Sequence, residues 1–178
     1  MNRKPTGLII VCLLLLAAPA RAFDDEERLE KAEDVIARFK DKSPEVAQAF
    51  EDAAGYAVFP TVGKGGVGLG GARGKGFVYE RGRLVGHSTL TQVTIGLQLG
   101  GQAYSEVVFL KDRGALADFK SGRLKLGAQA SAVALDARAA GDLAYRDGVM
   151  IVTMAKGGLM YEASVGGQKF SFKRLGAK

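Results

Sequence analysis

Apolar residues at three- and four-residue spacing predict two helices near the start of the chain. On the charged segment 24–42 one apolar stripe consists of Leu29, Ala32, Ile36 and Phe39. Ser43-Pro44 then has the form of an N-cap followed by proline at the first helical position. A second helix should follow and end at Gly55. Both apolar stripes are typical of helices that pack against a sheet.

After Gly55 the pattern changes to alternation of apolar with polar or small residues, which predicts β-strands. Odd-numbered apolar positions run from Val93 through Leu99 to Phe109 without a change of phase. A two-residue hairpin would move the apolar positions to even numbers. Gly100-Gly101 is therefore interpreted as a kink within one long, curved strand.

At Gly166-Gly167 the apolar positions do move from odd to even numbers. This change predicts a hairpin that pairs Val165 with Gln168 and Ala163 with Phe170.

Between the two glycine pairs the pattern predicts a short helix over residues 112–120, with Asp112 as its N-cap and Leu116 and Phe119 facing inward. An alanine-rich strand over residues 127–135 and a loop over residues 136–147 should follow.

A glycine-dense run over residues 63–76 contains eight glycines in fourteen residues, between two apolar, strand-like segments. Gly66, Gly68 and Gly71 match the dinucleotide-binding pattern in spacing, but that pattern requires a helix that begins at the glycines. Here the run leads into the strand-like FVYE. The fold expected is α+β, with two N-terminal helices packed on a strongly curved, largely antiparallel glycine-rich sheet or partial barrel.

The first 22 residues have the pattern of a secretory signal peptide: two basic residues, an apolar run and a small-x-small site at Ala20-Arg21-Ala22. The only cysteine, Cys12, lies inside the apolar run. These residues carry three cations and no acid, so their removal would lower the net charge from +6 to +3. The pattern predicts a protein that is periplasmic or secreted, with possible membrane association. It divides the chain into three segments: signal peptide 1–22, helical segment 23–52 and domain 53–175.

Candidate catalytic groups are few. His87 is the single histidine, and its neighbour Ser88 would point to the opposite face of a strand. His87 is therefore expected to be structural or exposed. The sequence has no Cys or His cluster for a metal, and its mildly basic charge without a row of aromatic residues does not indicate nucleic-acid binding. We expect a non-enzymatic protein without cofactor or metal.

Basic residues in the glycine run indicate contact with an anionic surface. Lys64, Arg73 and Lys75 would together contribute about 3 kcal/mol at an acidic bilayer. Because this is weaker than a millimolar complex, insertion of Val67 or Leu69 would have to assist. The alternative, that the glycines serve close strand packing and the lysines are only solvated, stays open.

Four ordered blocks of the sequence resemble the SYLF domain family. They are AAGYAVFPTVGKGGVGLGGARGKGFVY, VTIGLQLGGQAYSEVVFL, KLGAQASAVA and AKGGLMYEASVGGQKF, which together extend from Ala53 to about Phe172. The resemblance implies a non-enzymatic lipid-binding module. Eukaryotic members of that family are endocytic adaptors that bind phosphoinositides and, in yeast, actin filaments, whereas bacterial members are commonly exported single domains.

One departure from the family concerns the first helix, which in eukaryotic members is basic and implicated in lipid contact. Residues 24–42 here carry eight acids against five bases. This weakens the transfer of a lipid role to Leu29, Lys31 and Phe39. The sequence thus predicts an exported domain that binds acidic phospholipids through the glycine run, without an actin role. A structural or protein-interaction domain of the cell envelope is the alternative, and an enzyme with His87 as its base ranks third.

Overall fold

The structure is a computed structural model that describes residues 18–67, 69–95, 101–124, 126, 131–134, 144–156, 163–164 and 167–176. Its helices are α1 Ala18–Lys42, α2 Pro44–Asp52 and α3 Arg113–Lys120. Its strands are β1 Gly55–Val67, β2 Leu69–Glu80, β3 Arg83–Ile95, β4 Gly101–Leu110, β5 Ser131–Ala134, β6 Val149–Lys156, β7 Ala163–Ser164 and β8 Gln168–Arg174. None of the helices in these residues is long and apolar enough to span a bilayer.

The N-terminal helices form as their sequence predicts. Ser43 caps α2, because its hydroxyl accepts a hydrogen bond from the backbone N–H of Val46 at 3.3 Å. Ala32 and Phe39 of α1 are fully buried, as is Val46 of α2. Gly55, however, does not end α2, which stops at Asp52. Gly55 begins β1, where a Cβ would lie 2.7 Å from the carbonyl oxygen of Tyr79.

Six strands form an antiparallel sheet in the order β6-β4-β1-β2-β3-β8. The short strand β5 adds to β6 in parallel, and β7 pairs with β5. The sheet is not closed into a barrel, and the α+β class with N-terminal helices on a largely antiparallel sheet is confirmed.

The sheet is curved, so that its two ends approach each other. β7 and β8 lie at opposite ends of the strand order, yet only residues 165–167 separate them in the chain. Three residues span at most about 14 Å between flanking Cα atoms. Glycine permits the strands to approach closely where the sheet bends: a Cβ on Gly76 would lie 2.2 Å from the carbonyl oxygen of Val58.

The two faces of the sheet bury separate apolar clusters. On the first face α1 and α2 pack over Tyr56, Phe77 and Phe109. On the second face α3 packs over a cluster that includes Phe59, Leu90 and Phe170. We call the first the α1 face and the second the α3 face of the sheet.

Two interpretations of paired glycines were wrong. β3 and β4 are not one strand: β3 pairs with β2 and β8, whereas β4 pairs with β1 and β6. Gly167 has a φ of 75°, as turns often require, but β7 and β8 do not pair. The predicted pair of Val165 with Gln168 lies outside the described residues, because Val165 and Gly166 do. Ala163 pairs with Ala132, and Phe170 with Leu90.

The side of β3 that faces inward also differs from the prediction. The even positions Ser88, Leu90 and Gln92 are buried, and the odd position Val93 is 69% exposed. α3 confirms the predicted cap at Asp112, which accepts a hydrogen bond from the N–H of Ala115 at 2.9 Å. Of the predicted strand 127–135 the described part is β5, and the predicted loop 136–147 lies largely outside the described residues.

Candidate anion-binding surface

The sheet register places the predicted basic residues on two different faces. Phe77 of β2 lies in the cluster under α1, and Arg73 and Lys75 precede it by four and two residues on the same strand. Because side chains alternate along a strand, Arg73 and Lys75 also project from the α1 face, opposite Gly63 and Thr61 of β1. Lys64 pairs with Ala72, which is buried in the cluster under α3. Because directly paired residues of neighbouring strands project from the same face, Lys64 projects from the α3 face. Arg73 and Lys75 come together, and Lys64 is separated from them by the sheet.

The side chains of Val67 and Leu69 lie outside the described part of the structure. Their backbones pair with each other where β1 meets β2. Their proposed insertion into a bilayer therefore stays a prediction.

Two further cations on β8 extend the positive charge across the α1 face. Arg73 pairs with Thr91 of β3, which in turn pairs with Lys169 of β8. Two strand spacings separate Arg73 from Lys169, which is about 10 Å. Lys173 lies on the same face, four residues further along β8.

All four cations of this surface are exposed. We call it the basic face, and it consists of Arg73, Lys75, Lys169 and Lys173. The residues between them on this face carry hydroxyl groups: Thr89, Thr91 and Ser171.

A cleft of about 380 Å³ lies beside the basic face, between α1 and the glycine-rich strands. Its walls include Asp24, Glu27, Arg28 and Lys31 of α1 and Pro60, Thr61, Gly63, Arg73, Gly74 and Lys75 of the sheet. The two cations of α1 that line the cleft are already paired: Arg28 contacts Asp24 and Asp25, and Lys31 contacts Glu27, each at 2.6 Å. Within the described residues Arg73 and Lys75 make no ion pair.

Charges in the cleft act on each other. The pKa of Asp24 is lowered, first by its hydrogen bond and ion pair with Arg28 and further by the positive charges of Lys75 and Lys31. Asp24 therefore stays ionised and offsets part of the positive potential at this end of the basic face.

His87 is half-buried, and its ring lies 5.2 Å from that of Phe77. Ser88 is buried on the other face of the strand. The two side chains therefore do not form a catalytic pair, as the alternation predicted. Over the described residues no group of three or more His, Cys, Asp or Glu side chains lies close enough to hold a metal.

A buried carboxyl group on the α3 face was missed by the sequence reasoning. Glu106 of β4 is fully buried and accepts a hydrogen bond from Gln168 Nε2 of β8 at 3.0 Å. β4 and β8 are four places apart in the strand order, so this bond crosses the inside of the curved sheet. Burial raises the pKa of Glu106 to about 8. The signal in the sequence is a single acid within the apolar strand SEVVFL.

A protein-family model described as Ysc84: Las17-binding protein actin regulator matches residues 91–174. Comparison with curated proteins gives no significant match. The matched residues include Glu106, Lys169 and Lys173, whereas Arg73, Lys75 and both N-terminal helices precede them.

Proposed function

We propose, from the membership of residues 91–174 in the Ysc84 (SYLF) family, that this protein is a non-enzymatic domain that binds acidic phospholipid headgroups at a membrane surface. Three of the four sequence blocks that predicted this family lie within the matched residues, and the resemblance is confirmed there. The family is of the lipid- and actin-binding type.

The observation that carries the proposal is the sign of the charges on the basic face. On the α1 face of β2, β3 and β8, none of the described residues is acidic, while four are basic. Each cation near an anionic bilayer contributes about 1 kcal/mol, so the four contribute about 4 kcal/mol. This corresponds to an affinity of about 1 mM, which makes the binding reversible and sensitive to salt.

We further propose that the protein is exported, on the strength of the signal-peptide pattern in residues 1–22. An exported domain would not meet actin, so the actin-regulator role in the family description is not extended to this chain. Cell fractionation with an antibody against the chain tests the location. Retention in the cytoplasm would contradict it.

Flotation with vesicles tests lipid binding. The protein from Phe23 onward should float with anionic vesicles at low salt, sink at high salt, and not bind neutral vesicles. Charge reversal at Arg73 and Lys75, or at Lys169 and Lys173, should abolish flotation.

Lys64→Glu is the matched control for flotation. It reverses a charge in the same hairpin but on the other face of the sheet, and it should float like the unchanged protein. Equal loss of flotation in Lys64→Glu would refute the assignment to the basic face. Absence of vesicle binding at either salt concentration would refute the lipid proposal and favour the alternative of a protein-interaction domain of the envelope.

A further inference from the structure

A second group of cations lies where α1 crosses β6. Lys156, at the end of β6, donates a hydrogen bond from Nζ to Thr61 Oγ1 at 2.8 Å. Arg38 of α1 places Nη2 3.5 Å from the sulfur of Met154. Met154 and Lys156 are two residues apart on one strand and therefore project from the same face, towards α1. The geometry brings Arg38 and Lys156 to one place on the surface.

Lys31 completes this group from the neighbouring cleft. It precedes Arg38 by seven residues, so both lie on the same side of α1, about 10 Å apart along the helix axis. Thr61, the hydrogen-bond partner of Lys156, lines the same cleft as Lys31. Thr61 thus links Lys156 to the cleft that Lys31 also lines.

Within the described residues, two of the three cations in this group have no ion-pair partner. Neither Arg38 nor Lys156 makes an ion pair within the described part of the chain, although Asp34 and Asp41 each lie one helical turn from Arg38. Lys31 pairs with Glu27 alone. The pKa of Lys156 is lowered, first by partial burial and then by the positive charges of Arg38 and Lys31. The unpaired charges of Arg38 and Lys156 are thus held near each other and near the paired Lys31, and an anion would relieve their repulsion.

We propose that Arg38, Lys156 and Thr61, with Lys31 at the edge, bind one phosphate group. A phosphate carries about −1.5 to −2 charges at neutral pH and three strong acceptor oxygens. It can accept hydrogen bonds from a guanidinium, an ammonium and a hydroxyl group at the same time. The adjoining cleft would hold whatever is attached to the phosphate.

The phosphate could belong to a lipid headgroup or to a soluble phosphate compound. Binding of a lipid headgroup rests on the proposed function. Binding of a soluble phosphate compound does not, because the basic face that contacts the bilayer is formed by other residues. The chemistry required of the site is the same in both cases. The experiment therefore measures soluble phosphate and vesicles separately.

Thermal unfolding of the purified protein in inorganic phosphate, against chloride at equal ionic strength, tests the site. Phosphate should raise the unfolding midpoint of the unchanged protein. Arg38→Met and Lys156→Met should each weaken phosphate binding about tenfold. In chloride, these variants should unfold at the same temperature as the unchanged protein or higher, because they remove a repulsion. A merely structural role of the two residues would lower the midpoint in chloride instead.

The matched control is Arg123→Met, which removes an exposed cation already paired with Asp118 at 3.0 Å. It should keep the full response to phosphate. The proposal is overturned if phosphate does not stabilise the unchanged protein, or if Arg38→Met and Lys156→Met respond to it as strongly as the control.

Flotation of the same variants with anionic vesicles identifies the source of the phosphate. Loss of both phosphate stabilisation and flotation supports a lipid headgroup. Loss of phosphate stabilisation with normal flotation supports a soluble phosphate compound. If the unchanged protein responds to phosphate but floats with no vesicles, the proposed function fails while the phosphate site stands.

Discussion

Glu106 gives the sharpest prediction of how pH affects stability. Its carboxyl group is fully buried on the α3 face, with Oε2 bonded to Gln168 and Oε1 without a partner in the described structure. Burial raises its pKa from 4.5 to about 8. Between these two pH values the folded protein keeps a proton on Glu106 that the unfolded chain has lost.

The sign of the effect follows from proton binding. Because the folded state binds the extra proton, the free energy of unfolding falls as pH rises, by about 1.4 kcal/mol for each pH unit. The stability is fully present below the unfolded pKa of 4.5 and is lost as pH rises towards about 8. Over the whole interval the loss amounts to roughly 5 kcal/mol, a large part of the stability of an ordinary domain.

Glu106→Gln removes this dependence, since glutamine has nearly the same shape and does not titrate. Its side-chain oxygen can still accept the hydrogen bond from Gln168. Urea unfolding, followed by far-ultraviolet circular dichroism at constant ionic strength, should show the unchanged protein weakening between about pH 5 and pH 8. The variant should weaken less, and its advantage over the unchanged protein should grow with pH.

Glu80→Gln is the control. Glu80 is half-exposed, and its hydrogen bond with Lys120 at 2.6 Å lowers its pKa, so the variant should keep the slope of the unchanged protein above about pH 5. Parallel stability curves for Glu106→Gln and the unchanged protein would refute the reasoning, because Glu106 would then be ionised in the folded state.

Two further predictions concern packing and capping. Gly76→Ala should destabilise the protein by about 1–3 kcal/mol, since its Cβ would collide with the Val58 carbonyl, whereas Gly63→Ala, with no atom within 4 Å of the new Cβ, should be close to neutral. Ser43→Ala should cost about 1 kcal/mol by removing the cap of α2, and Ser43→Thr should restore most of it. Urea unfolding measures both, and equal stability of the two glycine variants, or no loss in Ser43→Ala, would contradict them.

Local signals in the sequence predicted the helices well. The caps at Ser43 and Asp112 depend on hydrogen bonds within three residues, and the apolar stripes depend only on helical spacing. These interactions are complete within one segment of chain. For this reason α2 and α3 appear with the predicted caps and inward-facing residues.

Strand pairing was predicted less well, because pairing partners are distant in sequence. The unbroken alternation across Gly100-Gly101 is compatible with one strand or with two strands that project equivalent faces. The register decides between them: Gly101 lies beside Gly65, and Ile95 beside Leu69. Nothing in the sequence near residue 100 specifies these neighbours.

The candidate site likewise has one part that depends on local sequence and another part that depends on strand pairing. The alternation within the β1–β2 hairpin could have separated Lys64 from Arg73 and Lys75, had the register of the hairpin been known. Lys169 and Lys173 lie almost a hundred residues further along the chain and join Arg73 only through β3. Which cations meet on one surface is therefore a property of the strand order.

The four cations of the basic face are exposed, but solvation alone does not explain why they lie together. α1 and α2 cover the part of the α1 face that holds the cluster around Tyr56 and Phe77. The part of this face that the helices leave open is in contact with water and therefore requires polar side chains. An ordinary solvated face interleaves acids with bases, which limits repulsion between like charges. The α1 face of β2, β3 and β8 instead carries four described cations and no described acid, and the acids lie on α1 beside the cleft. Like charges gathered on one surface repel each other, and solubility does not require such an arrangement. An anionic partner would offset the repulsion.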